Sequence, residues 1–419
     1  MDLAVIGGGP AGLAAAVEAK KQGIDKVIII ERDNTLGGIL QQCIHDGFGL
    51  HRFGKRLSGC EYADNFIVDV ENEEIEVAYE TIVLEINSDK VIYAMSSADG
   101  IVEYHCRTII LAMGCRERTR SQAFIWGTRP SGVLTAGTVQ RYINIEGYLP
   151  GKKAVILGSG DIGLIMARRM TLEGIAVEGV YELMQSPGGL TRNISQCLVD
   201  YDIPLHLSTT VVRIHGQKKI EGVTVAQVDS DRNVIAGTER YIECDLLVLA
   251  VGLIPENELS RGLDLEIDPR TNGPFVDENF MTSMDGVFAC GNVVTVFDLV
   301  DYVSQTGEIA ARGAAGYIKG SLDLDEEYTQ IVPGENVSFV VPQRIRGSNL
   351  SSSLPLYFRV RTRGENAVVT AELADSVCYR KKHRIVLPPE MLVEEIDSKL
   401  IRDYPAAGGL SINVKGGTA

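Results

Sequence analysis

Two glycine-rich runs, each followed at the same distance by a single acid, are the residues of this chain best suited to chemistry. Gly7-x-Gly9-Pro10-Ala11-Gly12 precedes Glu31 by nineteen residues, and Gly158-x-Gly160-Asp161-Ile162-Gly163 precedes Glu182 by nineteen. In such a run the first glycine permits a tight turn. The second lets the backbone approach a pyrophosphate, and the third lets a helix pack closely on a strand. The pyrophosphate then lies at a helix N-terminus, where unpaired N–H groups and the dipole favour an anion. An acid at the end of the next strand can accept hydrogen bonds from a ribose diol. The alternative is a glycine turn with a surface acid, and the surrounding elements weigh against it.

Those elements repeat. An offset of 151 residues carries Gly7, Gly9 and Gly12 onto Gly158, Gly160 and Gly163, Glu31 onto Glu182, and Gly37-Gly38 onto Gly188-Gly189. Each block opens with an apolar strand, Leu3–Ile6 or Ala154–Leu157. Each continues as a helix, near 11–22 or 162–173, and reaches a second strand, Val27–Ile30 or Val177–Tyr181. A later apolar strand ends in glycine: 109–114 closes with Ala112-Met113-Gly114, and 247–252 closes with Gly252. An internal duplication explains four matched features in one order. The predicted fold is α/β, with two Rossmann-like dinucleotide-binding domains carrying β-meander insertions at about 80–106 and 205–243. After the acidic linker at 323–327, short strand patterns (337–341, 357–361 and 368–373) predict a small C-terminal β-rich domain. The expected domains are 1–117 with 253–321, then 118–252, then 322–419.

Glu182 also speaks to the choice of nucleotide. A carboxylate there favours a ribose 2′-hydroxyl and repels a 2′-phosphate. The next residues are Leu183, Met184, Gln185 and Ser186, and Arg192 stands alone. NAD(H) is therefore expected in the second block rather than NADP(H). Two dinucleotide sites in one chain imply hydride transfer between two cofactors, a nicotinamide and a flavin.

Other chemistries lack their residues. The eight cysteines are scattered, with no C-x-x-C, so no zinc or iron–sulfur site and no redox dithiol is expected. Scattered thiols in an acidic chain suit a reducing cytoplasm. The formal net charge of −16 opposes nucleic-acid binding. No apolar run reaches the roughly 18 residues of a membrane span, and no signal peptide is expected. Cys43 is the weak catalytic candidate, with His45 and His51 as the nearest acid–base groups. A lone thiol can cycle through a sulfenic acid, whereas a buried one usually packs. Arg116 and Arg118 suit either a cofactor phosphate or a hinge. The basic cluster at 380–384 reads as a solvated turn that could dock an acidic partner.

The segment 285–292, a strand ending in Gly291-Asn292 before a long helical pattern to about Lys319, resembles the FAD/NAD(P) two-dinucleotide reductases. There the matching segment ends in Gly-Asp and binds the flavin ribityl chain, so Asn292 is a departure. The resemblance implies FAD in the first block, on Gly7, Gly9, Pro10, Ala11, Gly12, Glu31, Arg32, Gly37, Gly38, Ala112, Gly114, Gly291 and Asn292. It implies NAD(H) in the second, on Gly158, Gly160, Asp161, Ile162, Gly163, Glu182 and Gly252. Within that superfamily the segments 37–50, 114–118, 129–133, 158–168, 251–257 and 298–302 resemble the branch of flavoprotein subunits that accompany a second dehydrogenase. The branch includes subunits paired with anaerobic glycerol-3-phosphate dehydrogenase. Others belong to opine oxidase, hydrogen cyanide synthase, sarcosine oxidase and dye-linked proline dehydrogenase. It implies a partner dehydrogenase with its own flavin, reached directly or through a small iron–sulfur protein, and the C-terminal domain is the first candidate for part of the docking surface. Histidines common in the relatives near 292–298 are replaced here by Thr295 and Phe297. Two rival readings remain open: a stand-alone NADH oxidase or peroxidase using Cys43, and an electron-transfer module whose second nucleotide is structural.

Overall fold

The computed structural model describes residues 1–373, 376–402 and 409–417. The chain divides into two compact units, Met1–Cys115 with Pro255–Ala419, and Arg116–Ile254. In the first, five parallel strands form one sheet. Their order is Val287–Ala289, Thr108–Leu111, Leu3–Ile6, Val27–Ile30 and Glu76–Ala78. Every side chain of Leu3–Ile6 and Val27–Ile30 is buried, because layers on both faces of a parallel sheet cover both sides of each strand. Helices Pro10–Lys21 and Val300–Lys319 pack together. Both are lined with small buried residues, Ala11, Ala14 and Ala15 on one and Gly307, Ala310 and Ala311 on the other. The approach is so close that a Cβ at Gly307 would collide with the Ala11 carbonyl.

The second unit repeats the plan with the parallel order Val133–Thr135, Leu246–Leu249, Lys153–Leu157, Ala176–Tyr181 and Leu205–His206. Alternation along its strands feeds two cores. Ala154, Ile156, Leu246 and Val248 join one apolar cluster, and Val155, Leu157, Leu247 and Leu249 join another. A period of two at fully buried strands yields this division.

The insertions are β-sheets. Thr81–Ile86, Val91–Ser96 and Gly100–His105 form an antiparallel meander in the first unit. The second unit's counterpart, Thr209–His215, Gly222–Gln227 and Arg240–Glu243, gains Trp126–Gly127 as a parallel edge. No helix among the described residues is long and apolar enough to cross a membrane.

Two expectations are corrected. The helix expected directly after Asn292 begins only at Val300. The run Val293-Val294-Thr295-Val296 is β-branched and disfavours helix, and Asn292 Oδ1 accepts from the Phe297 N–H at 3.1 Å. The basic cluster Arg380–Arg384 is no turn. It lies within strand Ser376–Val386, at the edge of a five-stranded sheet, where Lys and Arg oppose pairing with another chain.

The C-terminal segment builds that sheet and a three-stranded one around its own core, which includes Leu356, Phe358, Val369 and Ile412. Yet Val341, Tyr357 and Met391 belong to the main core of the first unit. The segment is also joined to 276–278: Gln343 N–H donates to Val276 O at 3.2 Å, Val276 N–H donates to Gln343 Oε1 at 3.0 Å, and Arg346 N–H donates to Glu278 Oε2 at 2.8 Å.

The helix crossing supplies a stability test. Gly307→Ala should destabilise the chain by about 1–3 kcal/mol through overpacking, read as a lower urea midpoint. Gly262→Ala, with nothing within 4 Å of its added Cβ, should be neutral or stabilising. Equal midpoints for Gly307→Ala and the unaltered chain would contradict the packing argument.

Candidate functional site

In the first unit the glycine turn closes between two strand ends. Gly7 has φ +103°, and a Cβ there would stand 2.6 Å from the Ala112 carbonyl oxygen. A Cβ on Gly12 would collide with the Gly7 carbonyl, so helix Pro10–Lys21 can start this close to the turn only with glycine there. Pro10 suits the first helical position, where no N–H partner is needed. The N-cap, Gly9, makes no side-chain cap, which leaves the N–H groups of the first turn for a ligand. A Cβ on Gly9 would meet nothing within 4 Å, so the turn faces open space there. Gly38 closes on Gly9 from the side, its Cβ position 3.1 Å from Gly9 Cα.

Glu31 is buried and doubly fixed. Its Oε2 accepts from the Gly8 N–H at 2.6 Å and its Oε1 from the Asp33 N–H at 2.9 Å. An ionised carboxylate has about four acceptor positions. These two bonds leave about two, enough for the two hydroxyls of a ribose.

The second unit reproduces this at the same offset. Gly158 has φ +100°, and a Cβ there would collide with the Ala250 carbonyl. Gly163 stands over the Gly158 carbonyl, and Gly160 again faces open space. Glu182 Oε2 accepts from Ser159 N–H at 2.9 Å and Ser159 Oγ–H at 2.6 Å, and Oε1 accepts from Met184 N–H at 2.9 Å. Gly8 and Asp33 thus correspond to Ser159 and Met184. In place of the Gly37 N–H bond to the Gly8 carbonyl (2.8 Å), Gly188 N–H donates to Ser159 Oγ (2.8 Å). Asp161 Oδ1, at the first turn of helix Asp161–Leu172, accepts from Leu190 N–H at 2.9 Å and Asn193 Nδ2 at 2.7 Å. Its charge is therefore engaged by the following loop.

The residues fit dinucleotides: uncapped helix starts, glycines facing open space, and strand-end carboxylates with acceptor capacity to spare. Ala11 and Gly291 join the first cradle, because a Cβ at Gly291 would lie 2.7 Å from Ala11 Cβ. Asn292 donates to Cys115 Sγ at 3.5 Å. Arg32 is exposed, and Gly114 has open space around its Cβ position. In the second unit, Ile162 is half-buried at the helix start, and the Gly252 carbonyl accepts from the Arg118 N–H at 3.0 Å. The residues missed from sequence are the unnamed middle ones, Gly8 and Ser159, whose N–H groups hold the acids. The 151-residue offset was the signal that paired them.

Cys43 is buried, its Sγ donates to the Ile39 carbonyl at 3.3 Å, and Gly59 packs on its Cβ. Cys60 Sγ donates to the Gln41 carbonyl at 3.2 Å, and burial pushes its thiol up. Burial likewise pushes the Cys290 thiol up. Reactive thiols need lowered pKa and access, and neither Cys60 nor Cys290 has the first. His45 is half-buried beside Phe48, and the His51 ring lies roughly parallel to that of Tyr302 with centroids 6.4 Å apart.

Comparison with known proteins agrees with this geometry. The chain is 29% identical over 280 residues to hydrogen cyanide synthase subunit HcnB of Pseudomonas protegens, covering 62% of this chain and 58% of that one. It is 24% identical over 333 residues to an opine oxidase subunit of Agrobacterium tumefaciens, covering 75% and 64% respectively. The matched region therefore spans less than two thirds of either relative. Thioredoxin reductase of T. acidophilum has the same fold, with a TM-score of 0.60 at 24% identity over 75% of this chain and 97% of that structure. A family model matches residues 1–307, and the chain belongs to that family, the pyridine nucleotide-disulphide oxidoreductases.

Proposed function

We propose that the chain is an FAD-dependent NAD(H) oxidoreductase subunit that exchanges electrons between NAD(H) and a partner dehydrogenase, of the glycerol-3-phosphate dehydrogenase type. Members of its family use FAD and NAD(P)H. The observation that carries the reading is the pair of equivalent cradles, each with an uncapped helix start and a strand-end carboxylate tied to its glycine turn. FAD supplies a hydride acceptor that can release electrons singly or in pairs. The chain's part is to hold the two dinucleotides. Glu31 and Glu182 take ribose hydroxyls, and the starts of Pro10–Lys21 and Asp161–Leu172 face the pyrophosphates.

The absence of a dithiol motif in the sequence favours a flavin that hands its electrons to another polypeptide. HcnB and the opine oxidase relative are both named as subunits, which supports a complex. The partner reading extends to a second flavin-dependent dehydrogenase, engaged directly or through a small iron–sulfur protein. The burial of Cys43 disfavours the stand-alone peroxidase.

NADH should reduce the bound flavin much faster than NADPH in anaerobic stopped-flow. Glu182→Gln should narrow the ratio about three- to tenfold, or ~0.7–1.4 kcal/mol, by removing a charge that opposes the 2′-phosphate. Equal rates for the two nucleotides in the unaltered chain would refute the NAD(H) assignment.

Cys43→Ser should leave NADH–dye reductase activity within a few-fold, since hydride transfer needs two aligned rings and no thiol. A loss of several orders of magnitude with FAD still bound would restore the peroxidase reading.

Alone, the chain should reduce dyes with NADH yet fail to oxidise glycerol-3-phosphate, proline, sarcosine or opines. Co-expression with a glycerol-3-phosphate dehydrogenase subunit should yield a stable complex that couples substrate to NAD⁺. Substantial oxidation of any of these substrates by the isolated chain would sink the partner hypothesis.

A further inference from the structure

A side chain of the C-terminal segment reaches the loop beside Asn292. Arg359, on strand Ser353–Val360, donates through Nη2 to the Val296 carbonyl at 3.1 Å and to Asp298 Oδ1, and through Nη1 to the Pro389 carbonyl. The Met391 N–H donates to the other Asp298 oxygen at 2.5 Å. Both members of the ion pair are about four-fifths buried, with side-chain exposures of 20% and 18%. Burying two charges this far is costly unless both are well partnered. A guanidinium satisfied by two carbonyls and a carboxylate loses little freedom per bond, and its removal would take a donor from Asp298.

Tyr357, two residues earlier on the strand, is fully buried. Its OH donates to Gln305 Oε1 at 2.9 Å, and its ring meets Phe297 edge-on, centroids 5.2 Å apart at 89°. Phe297 is in turn the residue whose N–H binds Asn292 Oδ1. Asn292 follows Gly291, which packs on Ala11 at the start of the first cradle's helix. A continuous set of contacts thus runs from Arg359 and Tyr357 through the loop 296–298 to Asn292 and the helix start.

We propose that Arg359, acting through Asp298, is a positioning residue for the flavin site, so that the docked C-terminal segment sets the loop that carries Asn292. The proposal rests on the reading that the first cradle holds FAD. It follows that FAD binding and docking of the C-terminal segment are linked: each favours the other by the same factor. Truncation near Leu322 would remove Tyr357 and Met391 from the main core along with the C-terminal segment.

The test uses the full chain, freed of flavin and titrated with FAD. Arg359→Ala should raise the FAD Kd at least tenfold and change the visible circular dichroism of the bound flavin, with Arg359→Lys recovering part of both. Asp298→Asn should do the same if Arg359→Ala fails to fold. Arg361→Ala, an exposed neighbour, should match the unaltered chain. A change of threefold or more in Kd together with an altered flavin spectrum supports the clasp. An unaltered spectrum, or a Kd within threefold in the folded variants, overturns it and leaves the FAD reading standing. An unaltered chain that takes up no FAD overturns both.

Discussion

A hydrogen bond between a strand-end carboxylate and the N–H inside a glycine turn is the constraint on which both halves of this protein depend. Glu31 holds Gly8 at 2.6 Å, and Glu182 holds Ser159 at 2.9 Å. The bond joins the second strand to the turn that follows the first. It fixes the helix start against the sheet edge and, in the proposed reading, holds the carboxylate where a ribose would lie. A buried carboxylate is costly unless its acceptor positions are filled. Backbone donors fill part of them, and a bound diol can fill the rest. Stability of the empty cradle and affinity for the nucleotide therefore draw on the same oxygen atoms.

Much of this was legible in the sequence because its signals are local or periodic. The strands Leu3–Ile6 and Val27–Ile30 match their expected bounds, since fully buried parallel strands read as unbroken apolar runs. The glycine spacings place the turns, and the duplication predicted the equivalence that the hydrogen bonds now display. What sequence did not reveal depends on partners distant along the chain. Arg359 looks like any strand arginine until it meets Val296 and Asp298, more than sixty residues away. The delayed start of helix Val300–Lys319 was hidden because the apolar run before it reads as a continuation of the helix, although its β-branched residues Val293–Val296 disfavour one. The cluster at 380–384 looked like a turn by charge alone, whereas its residues pair with Gly364–Leu373 as an edge strand.

The C-terminal segment has a double character. One core is its own, and a few residues belong to the nucleotide-binding unit. Through Arg359 and Tyr357 that segment also touches the loop 296–298 beside Asn292. Part of strand Ser376–Val386 is committed to the protein itself, with Lys381 Nζ at 2.8 Å and His383 Nε2 at 2.6 Å from the buried Glu394 carboxylate.

As an FAD- and NAD(P)-dependent oxidoreductase, the chain has to pass a hydride between a nicotinamide nucleotide and a flavin. The most direct measurement is an anaerobic titration of the purified, FAD-loaded chain with NADH, following the visible flavin band. The band should bleach, and roughly one NADH per flavin should suffice, as expected for hydride transfer from nicotinamide to flavin. A flavin that stays oxidised in excess NADH, with NADH bound, would contradict it and leave the second cradle a structural site.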